Sequence, residues 1–509
     1  MSIPDLPAQT QSSSQISRVP RQISFEVVAL ASITILCAAL CVYHLGAASL
    51  WSDEMFSRYY ADLFGVHYAL TDGLSKETNP PTYYLLLHAW VALWGSSEAA
   101  LRSLSVVACI LCVPATYLLG RELAGKSLGL LGALLFALCP TSLYFAQETR
   151  VYALLMPAGA VLLWAAAVFL RDARSVKAAV FYALFATVCL YLHATGLLFV
   201  VACGSAVWLF LLVQGAGARQ ALLKWTALNA FALLLGAPYY FRALTASKTG
   251  VINYMPPAGI HQIVYCASLI VSGIVTPYPW PGLLLAAAVF VTLALSLFLH
   301  RPPSRASVIL IGVPCLFLTL VVVLSHAKQP ILLPRILIWA VVPLCLIAAS
   351  QLLAAGRARY VVLLSLLAAF GTGLFFQVTE PNSDKEPWRE ISRTLTPQLE
   401  RADLVVLSPV SNPMVLSYYG PQVKNERLWD ASIRPTIMSA AAERLGIASI
   451  SEPEILQAIQ TNHSVWVLAH SFDLDRVDDL RSHVPPTYYR VWYCGKVPCA
   501  AAAGWQPHP

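Results

Sequence analysis

Long apolar runs broken by short polar stretches fill the chain from residue 25 to 376. A helix needs roughly 20 consecutive apolar residues to cross a bilayer. On that measure the pattern predicts spanning helices at 25–46, 101–120, 127–146, 152–170, 177–192, 195–213, 225–243, 282–299, 306–324, 336–354 and 359–376. Two shorter apolar segments, 80–95 and 262–276, are marked by prolines, Pro80 and Pro81 at the first and Pro277, Pro279 and Pro281 after the second.

The Lys/Arg bias of short loops decides how these two segments are read. With a cytoplasmic N-terminus and neither segment crossing, the inside loops hold Arg18/Arg21, Arg121/Lys126, Arg171/Arg174/Lys177, Arg219/Lys224, Arg301/Arg305 and Arg357/Arg359. The outside loops then hold Asp53, Glu54, Asp62, Asp72, Glu77, Glu98 and Glu148. If 80–95 alone crossed, every later basic loop would move outside. Both segments are therefore expected as re-entrant or interfacial helices on the outer side, where broken backbone can line a cavity. The expected architecture is a polytopic α-helical membrane protein of about eleven spans, with residues 25–376 in the membrane unit and a first outer loop over 47–100.

Past Gln377 the pattern changes. ADLVVLSPV and HSVWVLAHS read as short buried strands, and SAAAERLGI and EPEILQAIQ as helical turns. Residues 377–509 are expected to form a soluble α/β domain on the outer face. Residues 1–24, rich in Ser and Gln, read as a disordered cytoplasmic tail. They lack a signal-peptide pattern, and the first apolar run is long enough to stay as an anchor.

Composition agrees. Of 509 residues 58% are hydrophobic and 12% charged, against about 25% charged in soluble domains. The net charge of +7 sits in short loops between apolar runs and does not suggest nucleic acid. Of the twelve cysteines, Cys37, Cys41, Cys109, Cys112, Cys139 and Cys189 lie in apolar runs and read as small hydrophobes. The Cys109–Cys112 C-x-x-C has no His or Cys partner nearby and reads as packing. Cys494 and Cys499 lie in a polar tail, where they could pair if that tail is outside the cytosol.

The polar residues with chemical interest fall on the outer side: Asp53 and Glu54, Asn79 before the double proline, Gln147, Glu148, Arg150 and Tyr152, His193, and Lys328 and Arg335. Acidic residues at a membrane boundary are costly unless they face water or a cavity, so the pair is a candidate site. Carboxylates beside several cations suggest a site for an anionic lipid head group. Arginine grips phosphate bidentately and keeps its charge, while a carboxylate can act as a general base or hold a metal. The plainer reading treats Asp53 and Glu54 as solvated loop charges and Arg150 and Arg335 as snorkelling anchors. It makes His193 a hydrogen-bonded helix-end residue and Lys328 a solvated cation. Placement of all of them on one face favours the site.

SLWSDEMFS, NPPTYYLLLHAW with EAALRSLSV following, RELAGKSLGLLGALLFALCPTSLYFAQETRVYALL, and YLHATGLL together resemble the membrane glycosyltransferases of the GT-C type. The branch is that of bacterial relatives of the protein O-mannosyltransferases and the aminoarabinose lipid A transferase. DKEPWREISRTL followed by VVLSP and LSYYG resembles the start of that branch's outer domain. The resemblance covers most of 45–200 and parts of 325–420, while 214–325 matches only in hydropathy.

The resemblance implies a polyprenyl-phosphate sugar donor, used at the periplasmic or extracellular face of the cytoplasmic membrane with inversion at the anomeric carbon. The acceptor would be a glycan, lipid or protein. Asp53 and Glu54 match the first-loop acidic residues, which makes Asp53 the expected base or acceptor-orienting group. A divalent metal, if one is used, would sit on this pair. Donor phosphate and substrate contacts are expected from Arg150, Arg335, His193, Tyr152, Glu148, Asn79 and Lys328. Three positions depart from the pattern: Asn79 stands where relatives have His or Lys before Pro-Pro, Thr149 replaces Ala in Q-E-A-R-x-Y, and Ile336 replaces the Tyr after Arg335. No Rossmann glycine fingerprint or P-loop is present, which argues against a nucleotide-sugar or ATP-driven enzyme. A lipid-linked sugar flippase or a non-catalytic assembly scaffold are the alternatives. A flippase should carry internal repeats, and none is visible.

Overall fold

A computed structural model describes residues 24–62, 79–245, 256–288, 304–327, 330–354, 356–380, 385–408, 414–429, 436–461, 463–470, 477–480, 489–493 and 500–505. Lys328, Cys494, Cys499, the N-terminal tail to residue 23 and most of the 282–299 run lie outside them.

The chain opens with α1 (Phe25–Val42), whose N-cap Ser24 accepts from Val27 N. The expected first outer loop is itself helical at both ends, forming α2 (Ser52–Asp62) and α3 (Thr82–Trp94). There follow α4 (Glu98–Ala124), α5 (Lys126–Leu138) and α6 (Pro140–Ala146). Next come α7 (Tyr152–Arg171), α8 (Val176–Leu192), α9 (Gly196–Val213) and α10 (Arg219–Thr245). The bundle ends with α11 (Ile260–Ser272), α12 (Arg305–Ala327), α13 (Pro334–Leu353) and α14 (Ala358–Thr379).

Among the described residues eight helices are long and apolar enough to cross a membrane, or nine if the α5–α6 pair, bent by 59° at Cys139–Pro140, counts as one span. Helix α8 is apolar but has only 17 residues. The two proline-marked segments become α3 and α11, of 13 residues each. At about 1.5 Å per residue each reaches only about 20 Å, short of a bilayer core. Glycine permits a close crossing of α4 and α5, where a Cβ on Gly120 would lie 2.8 Å from Gly129 Cα. Small residues at such crossings are how membrane helices reach close contact.

The bundle has two chemically distinct ends. At one, Arg121 and Lys126 pair with Glu26, and Arg171 and Arg305 pair with Glu122. At the other stand Asp53, Glu54, Arg150 and Arg335, together with the α/β unit.

That unit holds α15 (Trp388–Leu399), β1 (Leu404–Leu407), α16 (Met414–Tyr419), β2 (Glu426–Trp429), α17 (Thr436–Leu445) and β3 (Ser449–Ile450). It continues with α18 (Glu452–Gln460), β4 (Val465–His470), β5 (Tyr489–Tyr493) and β6 (Ala500–Trp505). The sheet order is β3-β2-β1-β4-β6-β5; β3, β2, β1 and β4 run parallel, and β6 and β5 pair antiparallel. Strand side chains alternate between faces. Val405, Leu407, Trp466 and Leu468 pack with Trp388, Ile391 and Leu395 of α15 on one face, while Val406, Val465 and Val467 pack with Ile455 and Ile459 of α18 on the other.

Candidate functional site

Asp53 and Glu54 open α2, where carboxylates favour the positive end of the helix dipole. Consecutive helical residues point about 100° apart, and here the two carboxylates go to different places. Glu54 turns into the protein and is fully buried. Its Oε1 accepts from Arg102 Nε and from the Thr149 N–H, both at 2.8 Å. Its Oε2 accepts from Arg102 Nη2 at 2.7 Å and lies 3.9 Å from Lys385 Nζ.

Arg102, from near the start of α4, uses its remaining hydrogens on the carbonyls of Leu45 (3.0 Å), Ala48 (2.9 Å) and Ser49 (2.9 Å). All five guanidinium N–H donors are thereby satisfied. Burial alone would raise the Glu54 carboxyl, but Arg102, Lys385 and the Thr149 N–H outweigh it and bring it down to about 2. Glu54 was expected to share the catalytic role. Both its oxygens are committed inside the protein, which ties the start of α2 to α4.

Asp53 faces the other way and is one-third exposed. Its Oδ2 lies 2.9 Å from Arg335 Nη1 and 3.7 Å from Arg150 Nη2. Arg150 Nη1 also donates to the Asp53 carbonyl and to Ser57 Oγ, each at 3.2 Å. Burial would push Asp53 up, yet the two guanidinium groups hold its carboxyl below the usual range. Arg150 comes from the loop before α7 and Arg335 from the first turn of α13, so three separate elements converge on one oxygen.

His193, between α8 and α9, is buried beside this cluster. Its Nδ1 is 2.8 Å from Thr195 Oγ1 and accepts from the Thr195 N–H at 3.1 Å, which leaves the ring hydrogen on Nε2. Trp339 Nε1 donates to that same Thr195 hydroxyl at 3.0 Å. Burial, reinforced by Arg150 and Arg335, lowers His193 to about 3. It would meet a phosphate as a neutral N–H donor and not as a cation.

The other expected residues take supporting places. The Tyr152 ring is 5.9 Å from that of His193 and 5.8 Å from the Arg150 guanidinium. Asn79 Oδ1 accepts from Ala194 N at 3.5 Å, tying the proline-marked loop to the His193 turn. Glu148 is buried, and its carbonyl accepts from Ser105 Oγ at 2.6 Å. Gln147 donates to the Tyr43 and Cys41 carbonyls. Lys328 lies outside the described residues.

Arg102, Lys385 and Glu386 were not singled out from the sequence, although Arg102 sits in the quoted EAALRSLSV and the other two in DKEPWREI. The expected carboxylate pair does not fit a divalent metal, because both Glu54 oxygens already accept from arginine or backbone N–H. Among the described residues the one His/Cys/Asp/Glu grouping with metal-ligand spacing is Cys37, Cys41 and Cys109. It sits buried where α1 crosses α4, a place that small side chains suit.

The family described as dolichyl-phosphate-mannose-protein mannosyltransferase matches residues 78–241. No curated protein matches the chain significantly. Among solved structures, ArnT from Cupriavidus metallidurans in the apo state is similar, with a TM-score of 0.58 and 10% identity over 94% of this chain and 97% of that one. The same protein bound to undecaprenyl phosphate gives a TM-score of 0.56 at 12% identity, over 94% and 97% of the two chains. The Archaeoglobus fulgidus oligosaccharyltransferase in complex with Zn and sulfate gives 0.52 at 11% identity, over 92% of this chain and 73% of that one. At these identities the likeness establishes a shared architecture: the chain has the GT-C fold.

Proposed function

We propose that the chain is an integral membrane glycosyltransferase that moves a sugar from a polyprenyl-phosphate carrier to an acceptor, at the end of the bundle that bears the α/β unit. The observation that carries this reading is the half-open cluster in which Asp53 meets both Arg150 and Arg335. A one-third exposed carboxylate between two cations is equipped for an anionic leaving group and a hydroxyl nucleophile at once. The family match to 78–241 and the fold shared with a protein crystallised with undecaprenyl phosphate support that donor class. The distribution of Lys and Arg over short loops supports an outward-facing site, periplasmic or extracellular.

In the proposed reaction the acceptor hydroxyl oxygen attacks the anomeric carbon from the face opposite the phosphate. The bond from that carbon to the phosphate oxygen breaks, and its electron pair leaves with the polyprenyl phosphate. The hydroxyl proton passes to Asp53. Arg150 and Arg335 meet the charge that develops on the departing phosphate, so most of the catalysis is positioning and electrostatics. Glu54 and Arg102 hold α2 in place. We read 25–376 as the catalytic unit and 377–509 as the outer unit that covers it.

The test is purified protein in sealed vesicles, offered radiolabelled undecaprenyl-phosphate mannose and a panel of related polyprenyl-phosphate sugars with an envelope extract as acceptor source. Label transferred to the acceptor fraction, with free polyprenyl phosphate released, supports the reading. Donor that crosses the bilayer intact and is never consumed would replace it with a transporter.

A further inference from the structure

We infer that the α/β unit is part of the machinery that positions Asp53, and that Glu386 is the residue through which it acts. This rests on the transferase reading above. Glu386 belongs to the stretch leading into α15, yet its carboxylate sits at the start of α2, more than 300 residues away in the chain. Its Oε2 accepts from the Ser52 N–H at 2.9 Å, from Ser52 Oγ at 2.7 Å and from Trp388 Nε1 at 2.6 Å. Its backbone carbonyl accepts from Ser49 Oγ at 2.7 Å.

The first N–H groups of a helix have no partner within the helix and favour an acceptor, best of all an anion. In α2 the residue before the helix is Trp51, which offers no side-chain acceptor. Glu386 supplies that cap from outside the helix, one residue before Asp53.

Neighbouring contacts fix the same stretch from the same side. Arg389 donates to the carbonyls of Gly46 (3.1 Å), Ala47 (3.0 Å) and Ala48 (3.0 Å) while pairing with Glu98 at 2.6 Å. Tyr419 Oη accepts from the Leu50 N–H at 2.7 Å, and Lys385 Nζ lies 3.9 Å from Glu54 Oε2. Residues 46–52 are thus gripped by Arg102 from the bundle and by Glu386, Arg389 and Tyr419 from the α/β unit. Between the two grips the first turn of α2 has its direction set, and with it the Asp53 carboxylate. Glu386 is buried, and its partners Ser49, Ser52 and Trp388 are not among the groups assigned to donor or acceptor, so it is a positioning residue.

The test compares Glu386→Ala and Glu386→Gln with wild type in the full-length protein. Glu386→Gln keeps an acceptor oxygen in place and is expected to retain kcat within several-fold. Glu386→Ala removes it and is expected to lower kcat on the order of 10²-fold, since small misplacements of a reacting group are that costly. The KM for undecaprenyl-phosphate mannose, or for whichever panel sugar is consumed, should stay within about twofold because the donor-facing arginines are untouched. Amide hydrogen exchange over 49–60 should speed up in Glu386→Ala while exchange in α4 and α7 stays at the wild-type rate. If Glu386→Ala does not fold, Ser52→Ala removes one of the same bonds and should show the same pattern at smaller size.

Unchanged kcat and unchanged exchange in Glu386→Ala would overturn the inference, as would a fall in kcat that Glu386→Gln shares in full. The exchange measurement needs no turnover. Should wild type consume no donor at all, the transferase reading fails while the capping of α2 is still tested by itself.

Discussion

Asp53 and Arg335, 282 residues apart in the chain, meet at 2.9 Å, and the oxygen they share lies 3.7 Å from Arg150. Both arginines are thus partnered by the same carboxylate. In the proposed reaction an arriving phosphate competes for both, and each contact it takes from Asp53 returns basicity to that group. On the proposed mechanism the site would couple donor arrival to the readiness of the base through one oxygen atom.

The arginine partners set where Asp53 titrates. They hold its carboxyl below the usual range against the upward push of burial. Removing Arg335 therefore lets it rise, and the deprotonated base is lost at a higher pH. Arg335→Ala is expected to move the acidic limb of the kcat/KM profile upward. It should also lower kcat/KM at neutral pH by on the order of 10²-fold. Steady-state profiles carried down into the acid range check this, and an acidic limb that does not move in Arg335→Ala removes Arg335 from the pair.

Glu54 governs stability in a different way. Its folded carboxyl stands at about 2, below the ordinary value of 4.5. The unfolded chain thus binds the proton more readily, and the stability this group contributes is present above about pH 4.5 and is lost as pH falls toward 2. Glu54→Gln leaves Arg102 buried without its anion and is expected to cost about 3–5 kcal/mol. Glu54→Gln combined with Arg102→Met should cost less than the sum of the single changes, because neither charge is left alone. Thermal unfolding in detergent across pH 7 to 3 reads both effects, and strict additivity would contradict the pairing.

His193 acts over another window. Its folded value of about 3 lies below its ordinary 6.5, so protonation favours the unfolded chain and stability falls as pH drops from about 6.5 toward 3. Replacing it with Gln should flatten that part of the stability curve. The wild-type activity profile should show no inflection near pH 6.5 that His193→Gln abolishes. Such an inflection would mean that His193 titrates in the working range and is charged at the site.

How far these features could be read from the sequence depends on what each one rests on. Spanning helices follow from apolar length alone, and α3 and α11 were separable from them because Pro80, Pro81 and the 277–281 prolines shorten their runs. Strands β1 and β4 announce themselves as apolar runs between turns. Strand β2 (ERLW) is too short, and β6 (AAAAGW) too rich in alanine, to signal a strand before their partners are known. Asp53 and Glu54 are equivalent as adjacent letters, and only the 100° step of the helix sends one to Arg150 and Arg335 and the other to Arg102. Arg102 resembles any charge near a helix start, since its role depends on the carbonyls of 45–49 folding over it. Glu386 carries no local signal, because its partner Ser52 is far away in the chain.

The central claim is that Asp53 performs the chemistry while the arginines hold the donor. Its most direct test is turnover of radiolabelled undecaprenyl-phosphate mannose and the related panel by wild type and Asp53→Asn in lipid, alongside binding of undecaprenyl phosphate to both. Wild type is expected to consume at least one donor. Asp53→Asn should lose at least about 10²-fold in kcat yet bind undecaprenyl phosphate at least as tightly, since the competing carboxylate charge is gone. Turnover by Asp53→Asn at the wild-type rate would contradict the account.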